Sequence, residues 1–306
     1  MTALLESSVG PAAPAGPTPG TAAGRQGRGW TVFLLLLPAA LLVVAMFSYP
    51  LLVAAWRSLA YPELGTQNYA WFFDGATNIG VLLRTVWIAF LTTVICLAFA
   101  YPYAYLMAIS GRRLKTLLLV LVMVPFWTSL MIRTFAWIIL LQDNGLVNEG
   151  LGLFGIGPLP LMRNTTGVLI GMVQVLLPFM VLPLYNAMAG VDMRLMQAAT
   201  SLGARPSTAF LKVFVPLAMP GVLSGSLLVF IQALGFYITP ALLGSPTEML
   251  VSQYIYAQVN GQLQWGRGSV LGVVLLVTVL VLLAAAAALG RAGRRRQGAA
   301  AKREAA

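Results

Sequence analysis

The side chains that most often carry out chemistry are scarce in this sequence of 306 residues. Histidine is absent, and cysteine occurs once, as Cys96 within an apolar run. Metal sites built on histidine and catalytic Ser-His-Asp or Cys-His arrangements are therefore excluded, and Cys96 is expected to be a small packed thiol. We expect no catalytic residue and no metal ligand in this chain.

The sequence also lacks the groups that power active transport. A phosphate-binding loop needs a glycine before its lysine, but Leu114 precedes Lys115 and Thr116. Proton-coupled carriers usually place carboxylates inside the membrane, and none of the apolar segments described below contains Asp or Glu. The chain is therefore expected to be a passive path that needs an external motor.

A few polar and aromatic residues are candidates for the wall of that path. Arg133 interrupts an apolar segment, and an arginine at the centre of a membrane helix costs about 2.5–3.5 kcal/mol on insertion. We therefore expect Arg133 to face a cavity or a partner helix. The alternative is a shallow position from which its side chain reaches the membrane interface. Gln174 and Gln232 could line the path or join helices. Four aromatic residues complete the candidate set: Trp127, Trp137, Phe236 and Tyr237. Their rings could stack on a cation or an apolar chain, or pack in the protein.

Composition places most of the chain in a membrane. Apolar residues make up 59% of the sequence and charged residues 9%, too few to cover a soluble surface. Six stretches reach the roughly 20 apolar residues that a helix needs to cross a bilayer, and lipid tolerates no unpaired backbone. The predicted helical spans are 32–55, 81–110, 116–142, 165–190, 216–243 and 268–290. The expected fold class is therefore an all-α integral membrane protein with six transmembrane helices.

Basic residues predict the orientation of these spans. Fourteen of the 19 Lys and Arg residues lie in the two chain ends and in the loops after the second and fourth spans, and four lie in the remaining loops. The positive side of a membrane protein is usually cytoplasmic, so both termini are expected inside. The net charge of +11 could suggest nucleic-acid binding, but its division into short clusters between apolar runs disfavours that function.

The chain is expected to have three parts. Residues 1–30, rich in Ala, Gly and Pro, predict a disordered cytoplasmic tail. Residues 31–290 form the transmembrane domain, which includes a cytoplasmic loop at 191–215, and residues 291–306 form a basic cytoplasmic tail. Glycine pairs one helical turn apart, at 167/171, 221/225 and 268/272, favour close packing of helices.

The loop at 191–215 carries the most specific pattern. Asp192 can cap a helix, Gly203 can reverse the chain, and Pro206 suits the first turn of a second helix. The sequence therefore predicts two short helices joined by a glycine turn. Ala198 and Ala199 give the first of them a face of small side chains.

The same loop resembles the coupling loop, or EAA loop, of ABC importer permeases. That family has Glu-Ala-Ala, three residues, Gly, nine residues and Ile-x-Leu-Pro; here Gln197-Ala-Ala is followed at the same spacing by Gly203 and by Val-Phe-Val-Pro216. Glutamine keeps the size of the family's glutamate but not its charge. The resemblance implies that this loop docks on a separate ATP-binding subunit. The residues implied in that coupling are Gln197, Ala198, Ala199, Gly203, Ala204 and Pro216.

Four further segments are similar to the first permease of spermidine/putrescine-type importers. They are PFWTSLMIRTFAW at 125–137, NGLVN at 144–148, LPFMVLPLY at 177–185 and ALGFYITPALLG at 233–244. Many such permeases have Gly-Glu where this chain has Gly235 and Phe236, so a carboxylate that would suit a cationic polyamine is missing at this position.

The resemblance implies the type I ABC importer permease fold in a bacterial inner membrane. It also implies a set of partners: a second permease subunit, two ATP-binding subunits, an extracytoplasmic solute-binding protein and a small solute such as a polyamine. The chain itself would need no cofactor, since the partner subunit binds ATP. A stand-alone secondary carrier or channel is the alternative from another class, and intramembrane carboxylates would favour it.

Overall fold

The computed structural model describes the backbone of residues 25–304 and the side chains of residues 35–288. All regular elements of this part are helical. The α-helices are α1 (Arg25–Ala60), α2 (Gln67–Asp74), α3 (Ala76–Ile109), α4 (Arg112–Met123), α5 (Leu130–Leu141), α6 (Leu146–Gly152), α7 (Thr165–Ala189), α8 (Met193–Ser201), α9 (Pro206–Ala209), α10 (Val215–Leu234), α11 (Ile238–Leu243), α12 (Val251–Tyr256) and α13 (Trp265–Glu304).

Six of the described segments are long and apolar enough to cross a membrane, as the sequence predicts. They are Leu35–Ala60, Ala76–Ile109, Leu130–Gly152, Thr165–Ala189, Pro206–Leu234 and Trp265–Ala288. The third and fifth of these differ most from the predicted spans, because both predicted segments contain a break in the helix.

The chain divides into two compact units between Val53 and Ala54. In the N-terminal unit, α1 begins at Arg25, inside the segment 1–30 that the sequence predicts as a disordered tail, while residues 1–24 lie outside the described part. Extending a formed helix by a few residues avoids the cost of nucleation, which explains the earlier start. From Leu35 to Val53 the side chains are almost all exposed, and most are apolar, as suits contact with lipid.

In the second unit, α3, α7 and α10 pack side by side and form the main core. Glycines allow the close approach: a Cβ at Gly221 would lie 2.5 Å from the Cβ of Ala187, and one at Gly225 would lie 2.9 Å from the Sδ of Met180. Gly272, in contrast, has no neighbouring atom within 4 Å of such a position. A Cβ at Gly171 would likewise meet Thr239 and Leu243, and one at Gly268 would meet Val259, so the predicted close packing is present in all three glycine pairs but not at Gly272 itself.

The third predicted span, 116–142, is two helices rather than one. After α4, residues Val124–Trp127 form a 3₁₀ turn that contains Pro125, and Thr128 is extended, with φ −105° and ψ 141°. Proline has no N–H to continue the α-helical ladder, and the backbone N–H of Thr128 instead bonds to the carbonyl of Pro125 at 3.3 Å. The helix resumes as α5 at Leu130.

The fifth predicted span, 216–243, is interrupted as well. The helix begins earlier than predicted, at Pro206, and continues through a π-helical segment, Phe210–Phe214, into α10. It ends at Leu234, where Gly235 caps it, and the chain turns through Tyr237 into α11. Irregular backbone of this kind persists in membrane proteins where protein or a cavity surrounds it.

A smaller core lies between α2, α3, α12 and α13. Its buried members are Phe72, Val81, Val251, Val270 and Leu271. Buried polar contacts fix α12 to α3: the hydroxyl of Tyr254 lies 3.0 Å from Oδ1 of Asn78, and the backbone N–H of Val251 donates to Oγ1 of Thr85 at 2.9 Å. The helix α13 continues to Glu304 through the segment predicted as a basic tail, whose Ala and Arg residues favour helix.

Candidate coupling and translocation site

The loop at 191–215 folds as the sequence predicts. The carboxylate of Asp192 accepts a hydrogen bond from the backbone N–H of Arg194 at 2.9 Å and so caps α8. Pro206 lies in the first turn of α9. Backbone N–H groups in a first turn have no acceptor within the helix, so the missing N–H of proline costs no hydrogen bond there. The prediction of two short helices is therefore confirmed.

The turn between α8 and α9 depends on Gly203. Its φ is +86°, a left-handed conformation that costs residues with a side chain roughly 1–2 kcal/mol. The N–H of Gly203 donates to the carbonyl of Thr200 at 3.0 Å, and the N–H of Ala204 donates to that of Ala199 at 3.1 Å. These bonds end α8 and reverse the chain, so the predicted turn at Gly203 is present.

The helix α8 and the turn after it present an exposed surface. Gln197 and Ala198 are exposed, and Ala199 and Ala204 are half-buried. The exposed large apolar side chains of this segment are Met193, Leu195 and Leu202. Leu202 is 89% exposed. We call the segment 192–205 the coupling surface.

An aromatic cluster ties the coupling surface to α3. The ring of Tyr105 lies 5.3 Å from that of Phe210 and 5.2 Å from that of Phe214, nearly perpendicular to both, and Tyr101 also meets Phe210 edge-on. Edge-to-face contacts of this kind add about 0.5–1.5 kcal/mol each to the burial of the rings. Since α8 packs against the 210–214 segment, the cluster connects α8 to α3.

Sequence reasoning missed the aromatic cluster, although a signal for it exists. Tyr101 and Tyr105 are four residues apart, as are Phe210 and Phe214, so each pair occupies one face of its helix. Pro216 contributes at the same place. Without an N–H it cannot bond to the carbonyl of Lys212, and the N–H of Val215 bonds to Phe210 instead, which widens the helix into a π-turn.

Arg133 lies on α5 and is half-buried. Its Nε is buried without a hydrogen-bond partner among the described residues. Trp137, one helical turn further on the same face, packs against the main core. A buried guanidinium N–H favours a partner from outside this unit, since leaving it unpaired costs about 1–3 kcal/mol or more.

Gln174 on α7 and Gln232 on α10 lie on neighbouring helices, at a similar position along the helix axes. The helices α7 and α10 run antiparallel, with Gly225 against Met180, which brings Gln232 close to the level of Gln174. Oε1 of Gln174 and Nε2 of Gln232 are both buried without a partner in the described part of the chain. Each side chain can therefore make a further hydrogen bond, with Oε1 of Gln174 accepting and Nε2 of Gln232 donating.

The aromatic candidates do not converge on one site. Trp127 is 77% exposed in the 3₁₀ turn before α5, whereas Trp137 and Phe236 pack against the main core. Tyr237, in contrast, borders a cavity. This open cavity, of about 260 Å³, is lined by Tyr237, Ser252, Ile255, Tyr256, Val259 and Asn260. Tyr256 and Asn260 could not be selected from the sequence, because their position depends on how α12 packs.

Comparison with known sequences identifies a family. Residues 100–291 match the family described as binding-protein-dependent transport system inner membrane component. The spermidine/putrescine transport system permease protein PotB of Escherichia coli K12 is 33% identical over 251 residues, which cover 81% of this chain and 90% of that protein. PotB of Haemophilus influenzae is 34% identical over 81% of this chain and 86% of that protein. The molybdenum transport system permease protein ModB of Azotobacter vinelandii is 27% identical over 65% of this chain and 91% of that protein.

Comparison with solved structures identifies the fold. A chain of a bacterial alginate ABC transporter, solved in complex with a periplasmic protein bound to an alginate pentasaccharide, superposes with a TM-score of 0.70 at 17% identity, over 85% of this chain and 93% of that one. A second structure of an alginate-importing ABC transporter gives 0.66 at 18% identity, over 87% and 96%. The predicted type I permease fold is therefore confirmed.

Proposed function

Because the chain belongs to the family of binding-protein-dependent transport system inner membrane components, we propose that it is the permease subunit of an ATP-driven importer of polyamines such as spermidine and putrescine. The observation that carries the substrate class is the 33% identity to PotB across 81% of this chain. The family match, at residues 100–291, includes the coupling surface.

The proposed complex contains four kinds of partner. A second permease would complete the pathway, two ATP-binding subunits would supply energy, an extracytoplasmic binding protein would deliver the solute, and lipid would surround the assembly. We propose that ATP is bound by the partner subunits and not by this chain, because Leu114 replaces the glycine that a phosphate-binding loop requires before Lys115.

We propose that both termini and the coupling surface lie in the cytoplasm. Fourteen of the 19 basic residues support this orientation, and only four lie on the opposite side. The coupling surface then faces the compartment in which ATP-binding subunits operate. Its exposed Leu202 and small Ala198 would fit an apolar groove on such a subunit.

The proposed mechanism follows from the connections of the coupling surface. Closure of two ATP-bound subunits would pull the coupling surfaces of both permeases together. The aromatic cluster would carry this movement to α3, and the helix running from Pro206 to Leu234 would carry it across the membrane. The pathway would change from inward-open to outward-open and receive the solute from the binding protein.

Purification and transport together test this function. We expect an affinity-tagged chain, isolated from its native membranes, to bring with it a second permease and an ATP-binding subunit that mass spectrometry identifies. In proteoliposomes that contain ATP and receive the liganded binding protein, labelled spermidine or putrescine should accumulate. Equal accumulation without ATP-binding subunits would instead support the stand-alone carrier.

A further inference from the structure

The cavity at Tyr237 and Tyr256 is formed by a break in one helix and a widened turn in another. Gly235 ends α10, so Tyr237 leaves the helix and turns toward α12. The hydroxyl of Ser252 donates to the carbonyl of Phe236 at 2.6 Å and fixes α12 beside the break. The two tyrosine rings are thereby held 5.3 Å apart, with 38° between their planes.

The widened turn supplies the polar side of the cavity. Residues Ala257–Gly261 form a π-helical segment directly after α12, a feature frequently found at functional sites. Asn260 lies in this segment, is exposed and lines the cavity together with Tyr256. Its side-chain amide has both a carbonyl oxygen that can accept from an ammonium group and an NH₂ group.

Elsewhere in this part of the molecule, two arginine side chains make cation–π contacts with tryptophan rings. The guanidinium of Arg57 lies 5.2 Å from the ring centre of Trp265, and that of Arg267 lies 4.9 Å from the ring centre of Trp71. The rings of Tyr237 and Tyr256 instead border the open cavity. A ring face attracts a cation through its quadrupole, so this pair offers a solute the contact that the two arginines make within the chain.

The cavity is open and has a volume of about 260 Å³, so one end of an elongated solute can enter it while the rest of the solute extends beyond it. We infer that this cavity receives the alkylammonium end of the transported solute, with Tyr237 and Tyr256 stacking on it and Asn260 accepting a hydrogen bond. The inference rests on the proposed polyamine substrate.

Opposite charges at one exposed position test this site. We expect Asn260→Asp to increase, and Asn260→Lys to decrease, the initial rate of spermidine uptake by proteoliposomes of the complete transporter at saturating liganded binding protein. Asn260→Gln is the neutral control and should stay close to the unaltered rate. A change of roughly two- to fivefold in each direction is expected, the range of one exposed cation contact.

The rings are tested in the same assay. Tyr256→Leu should lower the rate roughly two- to fivefold, while Tyr256→Phe, which keeps the ring face, should retain most of it. Tyr49→Leu is the matched control, since Tyr49 is 72% exposed on α1. ATP hydrolysis stimulated by the binding protein should be unchanged in all variants, which separates loss of the site from loss of the fold.

Three results would overturn the inference. If Asp and Lys at position 260 change uptake in the same direction, or not at all, the cavity does not bind a cation. If, in a titration of the binding protein, they change only the concentration that gives half-maximal uptake, the cavity is a docking contact for that protein. If the unaltered complex transports no polyamine, the proposed substrate fails, and this inference fails with it.

Discussion

At the scale of single residues, Gly203 decides whether the coupling surface keeps its shape. Its φ of +86° disfavours any β-branched side chain, so Gly203→Val should rearrange the turn between α8 and α9. We expect the variant to insert normally but to lose about tenfold or more of its uptake, since a cost of roughly 1–2 kcal/mol in the turn displaces α8 from its partner. The measurement is polyamine uptake together with recovery of the ATP-binding subunit in the same membranes.

Gly203→Asn provides the matched control for this prediction. Asparagine enters the left-handed region more readily than other residues with a side chain, so it should keep most of the uptake. Normal uptake by the valine variant would remove Gly203 from the coupling mechanism. Equal losses in both variants would show that the lack of a side chain, rather than the backbone conformation, matters at this position.

Arg133 makes a second prediction at this scale. Its buried Nε has no partner among the described residues, which points to a group on the second permease or on the solute. We therefore expect Arg133→Leu to leave expression intact and lower uptake severalfold. Arg133→Lys should recover only part, because lysine lacks the planar five-donor fork. If the leucine variant forms a stable complex and transports normally, Arg133 is a snorkelling surface residue.

At the scale of elements, the packing of α7 on α10 requires glycine. A side chain at Gly221 would collide with Ala187 and with the carbonyl of Pro183, at 2.5 Å and 2.9 Å from the new Cβ. Gly221→Leu should therefore destabilise the detergent-purified protein by about 1–3 kcal/mol, the usual cost of overpacking. Gly272→Leu, where nothing lies within 4 Å, is the control, and the thermal unfolding midpoint of each variant is the measurement. Equal unfolding midpoints for the two variants would show that α7 and α10 can move apart to accommodate the leucine without loss of stability.

The helix breaks in the third and fifth predicted spans show which features of the helices the sequence could predict. Mean hydropathy located six spans and local signals located Gly203 and Pro206, because caps and turns depend on a few neighbouring residues. Hydropathy does not report helix continuity, so the breaks at Thr128 and Gly235 were missed. The pair of Tyr237 and Tyr256 was missed for a different reason. It exists only because Ser252 and the smaller core hold α12 in place, which is a tertiary effect.

At the scale of the whole molecule, the distribution of charge predicts how the chain crosses the membrane. An excess of Lys and Arg marks the cytoplasmic side of most membrane proteins, and the fourteen-to-four division predicts that both termini lie inside. Arg113, in the first turn of α4, should then lie inside, while Glu149 on α6 should lie outside. Both side chains are exposed, so a cysteine at either position would be accessible to reagent from its own side.

Cysteine labelling in a Cys96→Ala background measures this orientation. Because Cys96 is buried and is the single cysteine of the sequence, its removal leaves no competing thiol, and the small alanine should fit the same space. An impermeant maleimide added to intact spheroplasts should label Glu149→Cys but not Arg113→Cys, and permeabilisation should expose both. The opposite pattern would place the coupling surface outside the cell, away from ATP, and would make the proposed mechanism impossible. Labelling of both positions from outside would mean that the chain crosses the membrane an even number of times, or not at all, between residues 113 and 149.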